Sequence, residues 1–314
     1  MLKIIRLLLI FCLIISSKLA LATQTMDKYI GKSFIFLPKS KKQIEDKSNL
    51  LISDPWFNAF NAGCYDSDIK KNECKNKIIE NYTAAAGKPF ILLEIKKEKD
   101  TIETKKFYII KFIENGSIHK ILAEDDDCIK GTALLSEIEG TKKWKGKTFW
   151  AKNTIFLKNL NSETGEEELG DYIEKFSPFI VKDIDLGYEN YAPIRLFVQS
   201  STGKKGFIDV AFSEENIKGI DCLKNYYARY DKIFFTQNPE IIYKNMNKQV
   251  YNAIKNGRLL IGMTEDQVGL SIGYPETTNT DEGTWGTNEQ WVYGVHNYYK
   301  YVYLKNGKVT SWKR

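Results

Sequence analysis

Gly262-Met263-Thr264-Glu265-Asp266-Gln267-Val268 is the stretch on which the fold reading turns. Thr264 and Gln267 have the spacing of a capping box, in which each side chain meets the other's backbone N–H at a helix start. Gly273 and Pro275 stop that helix soon afterwards. Upstream, Met246, Val250, Ala253 and Ile254 recur at helical spacing, and Gly257 closes an earlier helix. Downstream, after a polar loop, the period becomes two. Glu289-Gln290-Trp291-Val292-Tyr293 reads as one strand and Tyr298 to Leu304 as the next. Asn306-Gly307 is a two-residue hairpin signal into a third strand, Lys308 to Trp312. Two helices followed by three strands predict an α+β fold, with an αα-βββ domain over residues 245–314.

Four short stretches in this region form a recognisable set: Gly262-Met263-Thr264 with Gln267-Val268, Gly273-Tyr274-Pro275, Gln290-Trp291-Val292-Tyr293-Gly294, and Asn306-Gly307-Lys308-Val309. Together they resemble the SmpA/OmlA, or BamE-like, domain. The resemblance implies two helices packed on a three-stranded antiparallel sheet, a place in the cell envelope, and binding to other proteins. It brings no catalytic residue. The chain differs from that family in lacking a lipid-anchoring cysteine and in carrying further domains.

Period two puts Tyr299, Tyr301 and Tyr303 on one side of their strand and Tyr298, Val302 and Leu304 on the other. The apolar side covers the helices. The three tyrosines, with Trp291 or Tyr293 from the adjacent strand, are therefore the expected partner-binding surface. Packing beneath a neighbouring domain is the equal alternative.

Toward the N-terminus two stretches read alike. Tyr29-Ile30-Gly31-Lys32-Ser33-Phe34 matches Trp144-Lys145-Gly146-Lys147-Thr148-Phe149. Each is followed by a Pro-Phe-Ile strand (residues 89–91 and 178–180) and then by a glycine-turn hairpin. The order predicts a duplicated β module over residues 27–135 and 143–235, similar to bacterial SH3-like modules. The first copy carries an insertion at 54–87. There Asp54-Pro55 starts a short helix, and Cys74, Ile78, Tyr82 and Ala86 mark one face of a second.

Residues 1–22 have the three parts of a cleavable signal peptide. Lys3 and Arg6 begin it, Leu7 to Ile15 is apolar, and Ala20-Leu21-Ala22 is a small-x-small site. The apolar run falls short of the roughly 20 residues of a spanning helix. A periplasmic or secreted protein with no transmembrane segment after cleavage is the expectation. Removing Lys3, Arg6 and Lys18, and no acid, leaves 43 basic against 40 acidic residues, which argues against a nucleic-acid partner. Four cysteines remain in the mature chain. Cys64–Cys74 within the insertion and Cys128–Cys222 between the module ends are the expected disulfides among three possible pairings.

Little of the sequence points to catalysis. Gly31-Lys32-Ser33 and Gly146-Lys147-Thr148 mimic the end of a phosphate loop but lack its earlier glycine, with Met26 and Thr141 in that place. Glu124-Asp125-Asp126-Asp127 and Glu166-Glu167-Glu168 lack calcium-loop spacing and read as solvated acids. His119 and His296 leave few places for a nucleophile and base. No cofactor and no metal site is expected. The function expected is non-enzymatic binding of another envelope protein, in outer-membrane assembly or maintenance. Peptidoglycan binding and inhibition of a secreted enzyme are the alternatives.

Overall fold

Antiparallel strand pairing organises this chain. The computed structural model describes residues 26–40, 86–99, 104–123, 129, 131–189, 191–213, 228–294 and 298–314. The expected leader, nearly all of the 54–87 insertion, and Cys64, Cys74, Cys128 and Cys222 lie outside the described residues.

Strands β1 (Ser33–Phe36), β2 (Pro89–Lys99), β3 (Thr104–Phe112), β4 (Ile118–Ala123) and β5 (Thr132–Leu134) form one sheet in the order β4-β3-β2-β1-β5. A second sheet uses β6 (Thr148–Ala151), β7 (Ile155–Leu160), β8 (Glu167–Ile173), β9 (Pro178–Glu189), β10 (Ala192–Ser200), β11 (Lys205–Val210) and β12 (Phe234–Phe235). Its order is β12-β6-β9-β10-β11-β7-β8. The third sheet is a meander of β13 (Thr277–Gly283), β14 (Gly286–Val292), β15 (Tyr301–Lys305) and β16 (Lys308–Lys313). The α-helices are short: α1 (Leu135–Thr141), α2 (Tyr230–Ile233), α3 (Pro239–Ile242), α4 (Lys248–Lys255) and α5 (Glu265–Ile272).

This architecture corrects the expected fold class. The described residues are strand-rich, with three antiparallel sheets and about five short helices, and the C-terminal region is not an αα-βββ domain. The difference lies in Thr277–Gly283, a polar run that sequence reading leaves as a loop. It pairs with β14 through seven consecutive residue pairs, Thr277↔Val292 to Gly283↔Gly286. All seven residues of β13 are exposed. A strand wet on both faces has no apolar period to betray it, while its backbone hydrogen bonds need no particular side chain.

The first two sheets repeat one neighbour order: β5-β1-β2-β3-β4 corresponds to β12-β6-β9-β10-β11. A 3-10 turn precedes each, Met26–Tyr29 and Lys142–Trp144, and a left-handed glycine follows, Gly31 (φ 81°) or Gly146 (φ 78°). That conformation costs a residue with a Cβ roughly 1 kcal/mol or more. The glycine N–H then reaches across to the second strand. Gly31 N donates to Leu92 O at 2.7 Å and Leu92 N to Lys32 O at 3.1 Å; Gly146 N donates to Val181 O at 2.8 Å and Val181 N to Lys147 O at 3.1 Å. One residue past this lock, each second strand bulges by an extra residue, Leu93 in β2 and Lys182 in β9. The second set differs by the β7–β8 hairpin, which enters between β6 and β9.

The chain divides into two compact units. One holds Met1–Thr148, Phe156–Ile173 and Phe179–Phe234; the other holds Phe149–Ile155, Glu174–Pro178 and Phe235–Arg314. Aromatic packing fills the first unit. Phe36 lies 4.4 Å from Phe90 between ring centroids, and Trp144 and Phe179 each lie 5.7 Å from Phe234. Helix α1 packs on both β1 and β10, and its Ile138, like Leu186 of β9, packs against Ile35, Leu37 and Ala133. Its Glu137 is buried and accepts from Phe212 N and Ser213 N, each at 2.9 Å, and from Ser213 Oγ. One carboxylate thus ties the helix after the first strand set to the end of β11.

Truncating that carboxylate strands buried donors, which typically costs about 1–3 kcal/mol per group. Glu137→Ala should therefore lower unfolding free energy by about 3 kcal/mol in urea denaturation. Glu137→Gln should lose less, because its amide oxygen still accepts.

Candidate functional site

Two polar centres stand out, and charge balance separates them. The first belongs to the seven-stranded sheet. Arg195 on β10 is 2% exposed and makes a bidentate pair with Asp209 on β11, Nε to Oδ1 at 2.8 Å and Nη2 to Oδ2 at 2.9 Å. Its Nη2 also donates to Glu167 on β8. Lys158 on β7 reaches Glu167 at 2.7 Å and Asp209 at 3.7 Å. The guanidinium lies 4.2 Å from the Tyr188 ring and 3.9 Å from the Phe207 ring.

Burial alone would raise the Glu167 carboxyl, but the hydrogen bonds and charges of Lys158 and Arg195 outweigh it and hold it below the usual range. Burial likewise opposes the Arg195 charge, and Asp209 with Glu167 more than offsets it. Two cations meet two anions, so the charges of the cluster balance. This cluster joins four strands, β7, β8, β10 and β11. Sequence reading leaves Glu167 as a solvated acid, because its pairing with Lys158 depends on the β7–β8 register and Arg195 comes from a strand 28 residues on.

The second centre is a half-open cavity of about 680 Å³ in the C-terminal unit. Tyr293, Tyr298, Tyr299 and Trp312 supply its aromatic walls, and Arg258 and Arg314 are its charged lining residues. Tyr298 and Tyr299 meet edge-on at 5.2 Å, and Tyr299 meets Trp312 at 6.3 Å. The Arg314 guanidinium lies 4.6 Å from the Tyr298 ring and 5.9 Å from the Tyr299 ring. Among the described residues no Asp or Glu lines the cavity.

Its floor is the C-terminal end of α5. The Ser271 hydroxyl donates to Arg258 O at 2.8 Å, fixing the loop after α4, and Tyr293 Oη donates to Gly273 O at 2.9 Å. Burial pushes the Tyr293 phenol up, so it stays a proton donor. Lys175, only 7% exposed, donates its ammonium to Leu270 O and to Ser271 O, the latter at 2.8 Å. A cation at a helix C-terminus meets the negative end of the dipole. Burial still pushes this lysine down to about 8.

The aromatic residues expected as one binding face are divided by the structure. Trp291, Tyr293 and Tyr299 are core residues. Tyr301 and Tyr303 are half-buried on the opposite side of β15 from Val302 and Leu304, which are buried. Tyr299 is the correction. Regular β15 begins only at Tyr301, and residues 298–300 do not hold its alternation, so Tyr299 turns inward while Tyr298 is 65% exposed. Arg258, Tyr298, Trp312 and Arg314 carried no local signal of a shared site. Among the histidines, His119 on β4 bonds Ser117 Oγ at 3.0 Å and stands edge-on to Phe112. His296 lies outside the described residues. Among the described residues no group of three or more His, Cys, Asp or Glu could hold a metal ion.

Both centres give stability a pH dependence. The charged form of Lys175 is disfavoured in the fold, so between about pH 8 and the usual lysine value of 10.5 the unfolded chain holds more protons. Stability should rise with pH across that window, and Lys175→Met should flatten the rise in urea midpoints measured against pH. Glu167 acts at the acid end. Its contribution is complete above the ordinary carboxylate value and is lost as pH falls through its depressed folded value. Glu167→Gln should remove that part of the acid slope.

No family model matches the chain, and neither a curated protein nor a solved structure matches it.

Proposed function

We propose that this chain is an exported protein that binds another protein of the cell envelope through its C-terminal unit, without catalysing a reaction. The half-open aromatic cavity carries this reading. Concave sites with apolar walls and a few placed polar groups are the usual form of a binding pocket. The cavity puts a large exposed tyrosine and two arginines at one opening. Tyrosine and arginine are enriched at protein interfaces, where they give contact area and hydrogen bonds together. The leader pattern of residues 1–22 supports export. Among the described residues no helix is long and apolar enough to cross a membrane. The BamE-like sequence pattern points the same way, since members of that family bind envelope proteins. Outer-membrane assembly or maintenance is the setting it suggests.

The test is photo-crosslinking in intact cells, with a reactive phenylalanine analogue placed singly at Tyr298 or at Ile118, an exposed residue of the first unit. Tyr298 should yield one dominant product in the envelope fraction, Ile118 none, and the purified protein should begin at Thr23. Product from Ile118 alone, or a chain that keeps Met1 and stays in the cytoplasm, overturns the reading.

A further inference from the structure

We infer that the aromatic cavity receives a carboxylate-bearing peptide segment, with Arg258 and Arg314 on the carboxylate and Tyr298, Tyr299 and Trp312 around an adjoining aromatic or aliphatic side chain. The inference rests on the binding role proposed above and names the chemistry that role would use.

Charge complementarity carries it. Among the described residues two arginine side chains line the cavity and no acidic side chain does. The Arg195 cluster, by contrast, matches its cations with two acids at contact distance. Helices α4 and α5 both end beside the cavity, since Asn256 and Gly257 follow one and Ser271 and Ile272 close the other. Each helix end brings roughly half a negative charge, and the Lys175 ammonium already sits on that of α5. Among the lining side chains the two guanidinium groups are the full charges, and they favour an anion. The planar fork of arginine suits a carboxylate, which it can hold by two parallel hydrogen bonds.

The walls choose the remainder of the ligand. Tyr298 and Tyr299 stand at right angles and Trp312 is perpendicular to Tyr299, so a flat or branched side chain meets one ring face and one ring edge. Arg314 lies over the Tyr298 ring, which orients its guanidinium before any ligand arrives. The volume falls within the roughly 300–1,000 Å³ usual for ligand pockets, enough for a short segment. Asn256, Ser271 and the tyrosine hydroxyls break up the apolar lining, which fits peptide groups better than a lipid chain.

The mature full-length chain should be titrated with four probes, followed by tryptophan fluorescence: acetyl-Gly-Gly-Phe with a free carboxylate, its C-terminal amide, acetyl-Gly-Gly-Gly with a free carboxylate, and phosphatidylglycerol vesicles. The phenylalanine acid should bind. The amide and the glycine acid should each be at least about tenfold weaker, about 1.4 kcal/mol. Arg258→Gln and Tyr298→Ala, both at exposed positions, should weaken the phenylalanine acid by a similar factor with Tm unchanged, and Arg258→Lys should recover part of the loss. Equal binding of acid and amide, or binding of vesicles alone, overturns the inference. If no peptide binds while Tyr298 still crosslinks an envelope protein, this inference fails and the binding role stands. If the crosslink is absent as well, that role fails too.

Discussion

The C-terminal unit depends on how the last turn of α5 is closed. A helix of eight residues ends in carbonyls that need donors, and here a lysine from a distant segment supplies them. Lys175 is buried to do so, at a desolvation cost visible in its lowered pKa. Ser271 then ties the same turn to Arg258 O, and Tyr293 ties the following glycine. These three side chains fix the loop that presents Arg258 and the wall that Tyr293 completes. Without them the cavity would have aromatic rings but no fixed floor.

The two polar centres illustrate how balance decides role. Around Arg195 each charge has an opposite neighbour and the guanidinium has rings on it. Buried ion networks of this kind are costly to break and contribute little when complete, which suits a fixed seam between strands. At the cavity, guanidinium groups line an opening with no acid among its described walls. The first centre pairs its charges within the sheet; the second is half-open.

The repeated strand order has a mechanical basis in one short device. A 3-10 turn delivers a left-handed glycine, and that glycine pins the second strand just before its bulge. Both strand sets admit their extra residues at the same joint, between the first strand and the second. In the second set that extra segment becomes β7 and β8, which bring Lys158 and Glu167 to the Arg195 cluster. The joint tolerates insertion because the glycine lock fixes the first and second strands to each other whatever lies between them. Glu137 adds the connection between the sets, since one carboxylate accepts from two consecutive backbone amides beyond β11.

What the sequence determined by itself is local. Thr264 and Gln267 form their capping box, with Thr264 N donating to Gln267 Oε1 at 3.0 Å. Asn306 and Gly307, both left-handed, make the hairpin between β15 and β16, and Val302 and Leu304 point inward. Each signal is complete within a few residues, so no distant contact can overrule it cheaply. Tertiary structure alone decided the rest. Thr277–Gly283 became a strand because β14 offered a free edge, not because its own residues alternate. Tyr299 went inward because residues 298–300 lost the phase of the strand they precede. Lys175 and Glu137 met partners at least 75 residues away. A charge or a backbone edge is satisfied by whatever the fold brings to it, and sequence spacing carries no record of that choice.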